Sequence, residues 1–194
     1  MLEHQAPFDP PASGQATGSL PIDRPNLRVT SLAGRGLLLL QSASLSVWQE
    51  AVGPVLGLTL PVSQEVSISG GRALLWLTPA QWLLELAAEE VDPIGLALTE
   101  RLGSSLAAVT DVSDAFFSLE IGGTGAGELL MTGCSIDLTP HAFPSGRVVR
   151  TALADVTAIL WKSGIPGRFR CLVDRSFAAH LLSWLEGITY TTPA

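Results

Sequence analysis

The sequence predicts an α+β fold of antiparallel sheet and helices, assembled from split βαβ units of the ferredoxin-like kind. Short apolar runs of strand length alternate with single stretches of helical spacing between residues 27 and 187. Glycines stand between the apolar runs, where hairpin turns need them. Helix-capping residues stand where the periodicity changes.

Residues 1–25 are rich in Pro, Gly, Ser and Gln, with prolines at 7, 10, 11, 21 and 25, and read as an extended or disordered arm. Residues 26–194 read as a single α+β domain, one unit or two lobes of 26–105 and 106–194. Leu27 to Leu32 and Gly36 to Leu40 flank Gly34-Arg35-Gly36 as in a hairpin. Ser46 to Val52 has Val47, Trp48, Ala51 and Val52 at helical spacing, with Gly53-Pro54 as an interruption. Val66 to Ser69 and Ala73 to Leu77 pair around Gly70-Gly71, a two-residue hairpin turn.

Thr78-Pro79-Ala80-Gln81 has the form of a capping box with Pro at the first helical position, which predicts a helix carrying Trp82, Leu83 and Leu86. Asp92-Pro93 opens another, with Ile94, Leu98 and Leu102 on one side and Gly103 as its stop. Strands are predicted at Leu106 to Val112, Phe116 to Ile121, Arg147 to Leu153, Val156 to Trp161 and Arg168 to Val173, and a helix at Thr124 to Thr132. Ser176 caps a final helix with Phe177, Leu181, Trp184 and Leu185 on one stripe, ended by Gly187.

Composition narrows the function. Charged residues are 15% of the chain against roughly 25% in an average soluble domain, so part of the surface is expected to be buried on another chain. A net charge of -7, a single lysine (Lys162) and arginines spread one by one argue against nucleic acid and against an anionic membrane surface. The N-terminus has neither a basic nor an apolar signal region, and no apolar run is long enough for a membrane span, so the expected compartment is the cytoplasm. Cys134 and Cys171 form no CxxC pair, and His4, His141 and His180 lack metal-ligand spacing, so no metal site is expected.

No catalytic constellation stands out. Gly122-Gly123-Thr124-Gly125-Ala126-Gly127 lies between a strand and a helix, but counting from Gly123 the third glycine of a dinucleotide fingerprint would be Glu128, and the run reads as a permissive turn. Asp111 and Asp114 read as turn caps rather than an acid/base pair. Ser145, in Phe143-Pro144-Ser145-Gly146, lacks the first glycine of a nucleophile elbow, so that turn is expected to position Phe143. His141 reads as a surface histidine, His180 as a core-edge or interface histidine and Cys134 as a small buried thiol. Trp48, Trp76, Trp82, Trp161 and Trp184 read as packing residues, with one or two as interface anchors.

The order of short motifs is more telling than any one of them. Asp111-Val112-Ser113, Leu119 to Gly122 leading to Leu129-Leu130, Gly133-Cys134-Ser135-Ile136-Asp137-Leu138, Phe143-Pro144-Ser145-Gly146 and Asp174-Arg175-Ser176-Phe177-Ala178 follow one another, after Leu75 to Leu84. This series resembles the gamma subunit family of heterotetrameric sarcosine oxidase over residues 30 to 187. The resemblance implies the aminomethyltransferase folate-binding fold of the glycine cleavage T-protein. It implies alpha, beta and delta partner chains, in an enzyme that oxidatively demethylates sarcosine or a related N-methyl amino acid and passes the one-carbon unit to tetrahydrofolate. FAD, FMN, NAD and tetrahydrofolate are then implied for the partner subunits and none for this chain, which carries no catalytic, cofactor-binding or metal residue over from the family. The alternative is a free-standing folate-binding or aminomethyltransferase-like protein, for which Asp111 or Glu120 is the candidate carboxylate to hold a pterin.

Overall fold

A computed structural model describes residues 20–191. The expected arm therefore falls mostly outside the described residues. Among the described residues eleven strands and four α-helices follow in the order β1 (Ile22–Arg24), β2 (Leu27–Ser31), β3 (Arg35–Ser42), α1 (Leu45–Leu56), β4 (Val66–Ser69), β5 (Arg72–Thr78), β6 (Gln81–Ala87), α2 (Val91–Leu102), β7 (Ala107–Asp111), β8 (Phe116–Gly122), α3 (Ala126–Gly133), β9 (Val148–Leu153), β10 (Val156–Lys162), β11 (Arg168–Asp174) and α4 (Ala178–Thr191). The strands form two antiparallel sheets. Sheet A has the order β1-β2-β8-β11-β10-β9 and sheet B the order β4-β5-β6-β3-β7. In sheet B, β3 lies between β6 and β7, so β6-α2-β7 is a split βαβ unit; α1 leads from β3 to the edge strand β4, and β5 returns parallel to β3 with β6 between them.

Alternation along the strands defines four layers. Leu119, Ile121, Leu160, Cys171 and Val173 of sheet A pack on Leu130 of α3 and Leu181 and Leu185 of α4. Leu38, Leu40, Leu74, Trp82 and Leu84 of sheet B pack on Trp48 and Val52 of α1 and Leu98 of α2. The opposite sheet faces meet in a central layer of Leu37, Leu75 and Leu83 against Val148, Ile159, Trp161 and Leu172. At one corner the sheets are stitched by main chain: Val66 N donates to Gly146 O at 2.9 Å and Val148 N to Gln64 O at 3.0 Å.

The structure corrects the sequence reading in several places. Gln81 to Ala87 is a strand, not a helix; Thr78 and Gln81 pair across a two-residue Pro79-Ala80 turn. Thr78 Oγ1 caps only that turn, accepting from Ala80 N. The misreading has a physical cause: β6 lies in the middle of a sheet covered on both sides, so Trp82 through Leu86 are all buried and period-two alternation is lost. The runs 27–32 and 36–40 are not a hairpin, since β2 pairs with β1 and β8 whereas β3 pairs with β6 and β7. Helix α1 continues through Gly53-Pro54 and ends where Gly57 adopts φ 66°. In its last turn the missing proline donor breaks only one hydrogen bond. Asp174, not Ser176, caps the turn before α4, and α4 runs past Gly187. Ile22–Arg24, within the stretch read as an arm, is a strand paired with β2, whereas the Gly70-Gly71 turn (φ 58° and 77°) and the other predicted strands stand where the sequence puts them.

Candidate functional site

The polar feature that the fold builds most deliberately lies between the sheets. Glu85, on β6, shares a face with Leu83 and is 3% exposed, so its carboxylate points into the central layer. Arg35 Nε donates to Glu85 Oε1 at 2.8 Å and Arg35 Nη2 to Gly71 O at 2.6 Å. From the other sheet, Arg170 Nη1 donates to the same Glu85 oxygen at 3.4 Å, and its Nε lies 3.4 Å from Glu120 Oε2. Arg168 Nη1 completes the chain to Glu120 Oε1 at 2.9 Å. Two carboxylates and three guanidinium groups thus cross from sheet B to sheet A, and each carboxylate is held by two arginines. A buried carboxylate is tolerated only with such compensation.

The residues singled out in the sequence are scattered. Asp111 Oδ1 accepts from Ser113 N at 2.9 Å and Ser113 Oγ at 2.5 Å, capping a turn, while Asp114, read as a turn cap, instead pairs with Arg175 at 3.2 Å, so the two aspartates are engaged separately. Glu120 is already held by Arg168 and Arg170. Ser145 is exposed, and its turn does position Phe143, which is buried and stacked on Phe169 at 6.5 Å. Lys162 Nζ donates to Phe143 O and sits 5.5 Å from the Phe169 ring; burial holds its pKa below the usual lysine value. His141 is exposed, and His180 Nε2 meets Ala154 O at 2.7 Å, clamping a turn whose Ala154 and Asp155 have φ 51° and 66°. Cys134 is half-buried rather than buried; Cys171 is fully buried, and desolvation pushes its thiol up to about 12. Trp48, Trp82 and Trp161 are buried, and Trp82 Nε1 donates to Pro61 O at 3.0 Å.

The glycine run serves packing. Gly123 has φ 115°, and a Cβ there would overlap the main chain of Asn26 and Leu27. Gly125 N donates to Asn26 O at 3.0 Å and Ala126 N to Gly123 O at 3.2 Å. The Gly123, Gly125 and Ala126 amides of this turn are therefore used within the chain, and Glu128 adds a carboxylate in the first turn of α3. Among the described residues no group of three or more His, Cys, Asp and Glu could hold a metal, and no helix is long and apolar enough to cross a membrane. Sequence reasoning missed Glu85 and its arginines, although a lone carboxylate inside Trp82-Leu83-Leu84-Glu85-Leu86 is the signal that marks them.

Comparison with known proteins decides the family. Residues 41–190 match the model of the sarcosine oxidase gamma subunit family. The chain belongs to that family. It is 34% identical to sarcosine oxidase subunit gamma of Corynebacterium sp. (strain U-96) over 66% of this chain and 62% of the relative's length. To the subunit gamma of Arthrobacter sp it is 32% identical over 72% of this chain and 68% of the relative. In structure it is similar to a chain of heterotetrameric sarcosine oxidase from Corynebacterium sp. U-96, with a TM-score of 0.79, 28% identity and coverage of 87% of this chain and 86% of the other. The glycine cleavage aminomethyltransferase T from Bartonella henselae shares the fold at a TM-score of 0.62 and 16% identity, over 86% of this chain and 47% of that one. The α+β fold predicted from sequence is thus the fold of both the gamma subunit and the T-protein.

Proposed function

We propose that this gamma-family chain is a non-catalytic subunit of a heterotetrameric, sarcosine oxidase-type flavoenzyme of the cytoplasm. In this reading the assembly oxidatively demethylates sarcosine or a related N-methyl amino acid and passes the one-carbon unit to tetrahydrofolate. FAD, FMN, NAD and the folate are assigned to alpha, beta and delta chains. The observation that carries the proposal is the match over residues 41–190, together with the TM-score of 0.79 to a chain of such an enzyme. The geometry supports the division of labour. Asp111, Asp114 and Glu120 are engaged in a cap and in ion pairs, and the Gly125 and Ala126 amides are bonded to Asn26 and Gly123.

A free-standing folate-binding protein needs a carboxylate free to accept from a pterin. Glu120 is held by two arginines and Asp111 by Ser113, which counts against that reading. The test is purification of the tagged chain from its native cell at low salt, with mass spectrometry and an absorbance scan across the flavin bands. Recovery with larger chains, a flavin spectrum and turnover of an N-methyl amino acid is expected. A chain recovered alone and colourless overturns the proposal.

A further inference from the structure

Sheet A is wider than the contact it makes with sheet B. The residues buried between the sheets come from β9, β10 and β11 on the sheet A side, with Phe116 of β8 packed against them, and none of the described ones from β1 or β2. The sheet A face opposite its helices therefore overhangs along β1, β2 and the end of β8. Register fixes what stands on it. Leu27, Val29, Ile121, Phe169 and Cys171 point into the helix-covered cluster, so their strand neighbours point the other way.

Two rows result. Asp23, Arg28, Gly122 and Arg168 lie directly opposite one another across β1, β2, β8 and β11, and Thr30, Glu120 and Arg170 form the row beside them. Three arginines thus stand against two carboxylates, on a chain whose net charge is -7. The sign is inverted locally. Within this patch Glu120 is shared by Arg168 and Arg170, and Arg170 also reaches Glu85, which Arg35 holds from sheet B. Arg28 is exposed, and no ion pair joins it to Asp23 or to any other described residue. Between Arg28 and Arg168 stands only Gly122, with no side chain of its own, so the two arginine backbones are about 10 Å apart, two strand spacings, and the Arg168 stem lies across Gly122. The Arg168 side chain is itself 48% exposed and spends one nitrogen on Glu120.

We infer that this overhang is a docking surface for an acidic, Asp- or Glu-bearing segment of a partner subunit, with Arg28 and Arg168 as its anchors. The inference rests on the gamma-subunit reading above. A guanidinium binds a carboxylate through two parallel N–H donors, and arginine is enriched at protein interfaces. The surface is an open sheet face, not a concave pocket, which suits a protein segment better than a small free anion.

The test uses the whole assembly from its native cell, carrying wild-type chain, Arg28→Glu or Arg28→Lys. Arg28→Glu removes no ion pair to a described residue, so its melting temperature should match wild type. At low salt it should weaken incorporation of the chain by about tenfold or more, because like charges then face each other. Arg28→Lys should retain most of the incorporation, and added salt should weaken wild type while leaving Arg28→Glu nearly unchanged. Incorporation of Arg28→Glu equal to wild type at every salt concentration overturns the inference and leaves the subunit reading standing. A wild-type chain that joins no assembly overturns both. If inorganic phosphate raises the melting temperature of wild type but not Arg28→Glu, while incorporation is unaffected, the patch is a free-anion site and the docking assignment falls.

Discussion

The layers under the helices and the layer between the sheets bury their surfaces by different means. Beneath α3 and α4, and beneath α1 and α2, the contacts are almost wholly apolar: Leu, Val, Phe and Trp side chains fill the space, and each loses stability in proportion to the volume removed. Between the sheets the apolar part is smaller and gives way to the Arg35–Glu85–Arg170–Glu120–Arg168 chain. Ion pairs of this kind add little net stability over a well-packed apolar core, but they penalise misalignment heavily, because a shifted sheet strands a buried charge. Helices packed on the sheets supply most of the apolar burial, and the charge chain, with the main-chain bonds at the corner, spans the joint between the sheets.

That contrast can be broken most sharply at Glu85. Glu85→Ala leaves Arg35 and Arg170 facing an empty buried site and should cost about 3–5 kcal/mol. Chemical denaturation measures the loss. Replacing the group together, with Glu85→Leu, Arg35→Met and Arg170→Met, should recover most of it or more, whereas a purely structural carboxylate hole would not be repaired. In the apolar layers, Leu84→Ala should cost about 2–5 kcal/mol, with no such rescue by neighbouring substitutions. Gly133→Ala places a methyl group into the Trp184 ring and should cost about 1–3 kcal/mol, read as a lower denaturation midpoint.

Thiol accessibility sharpens the same comparison at smaller cost. Cys171, buried with its pKa near 12, should stay unreactive towards a disulfide reagent at neutral pH until the protein unfolds, while half-buried Cys134 reacts first. Equal rates for the two thiols would show that the layer under the helices opens readily. The smallest effect is expected at Asp174, whose pKa is lowered by hydrogen bonds from the Ser176 side chain and amide. A depressed folded pKa gives stability that is present above the unfolded aspartate value and is lost as pH falls through the folded one. Thermal melts from roughly pH 5 downward should therefore decline less steeply in Ser176→Ala than in wild type.

The sequence made much of this fold legible wherever turn or cap signals bound the element, even for β10 and β11, which are covered on both faces. β4, β5, β8, β9, β10, β11, α2 and α3 carry turn or cap signals with an interpretable period, and they were placed within a few residues. Legibility failed at Gln81 to Ala87, where a strand covered above and below presents an unbroken apolar run and the Thr78-Pro79-Ala80-Gln81 turn before it imitates a helix cap. It failed also for Leu27 to Leu40, where a short link passes from one sheet to the other; local turn chemistry says nothing about which sheet receives the next strand. Of the charge chain the sequence shows only Glu85, a lone carboxylate in an apolar run, and not its partners. Its members lie 85 positions apart at the Glu85–Arg170 contact, and only the packing of two sheets brings them together.

The strand order has a consequence for the growing chain. Sheet B is built from residues between Arg35 and Asp111, whereas sheet A pairs β2 with β8 and cannot be completed before β11 has been made. During synthesis the first sheet can close while the β1–β2 hairpin waits, its β2 edge open, for a partner some ninety positions downstream. Non-local pairing of that kind is slow, so the N-terminal strands are the part of the nascent polypeptide with the longest need for protection from aggregation.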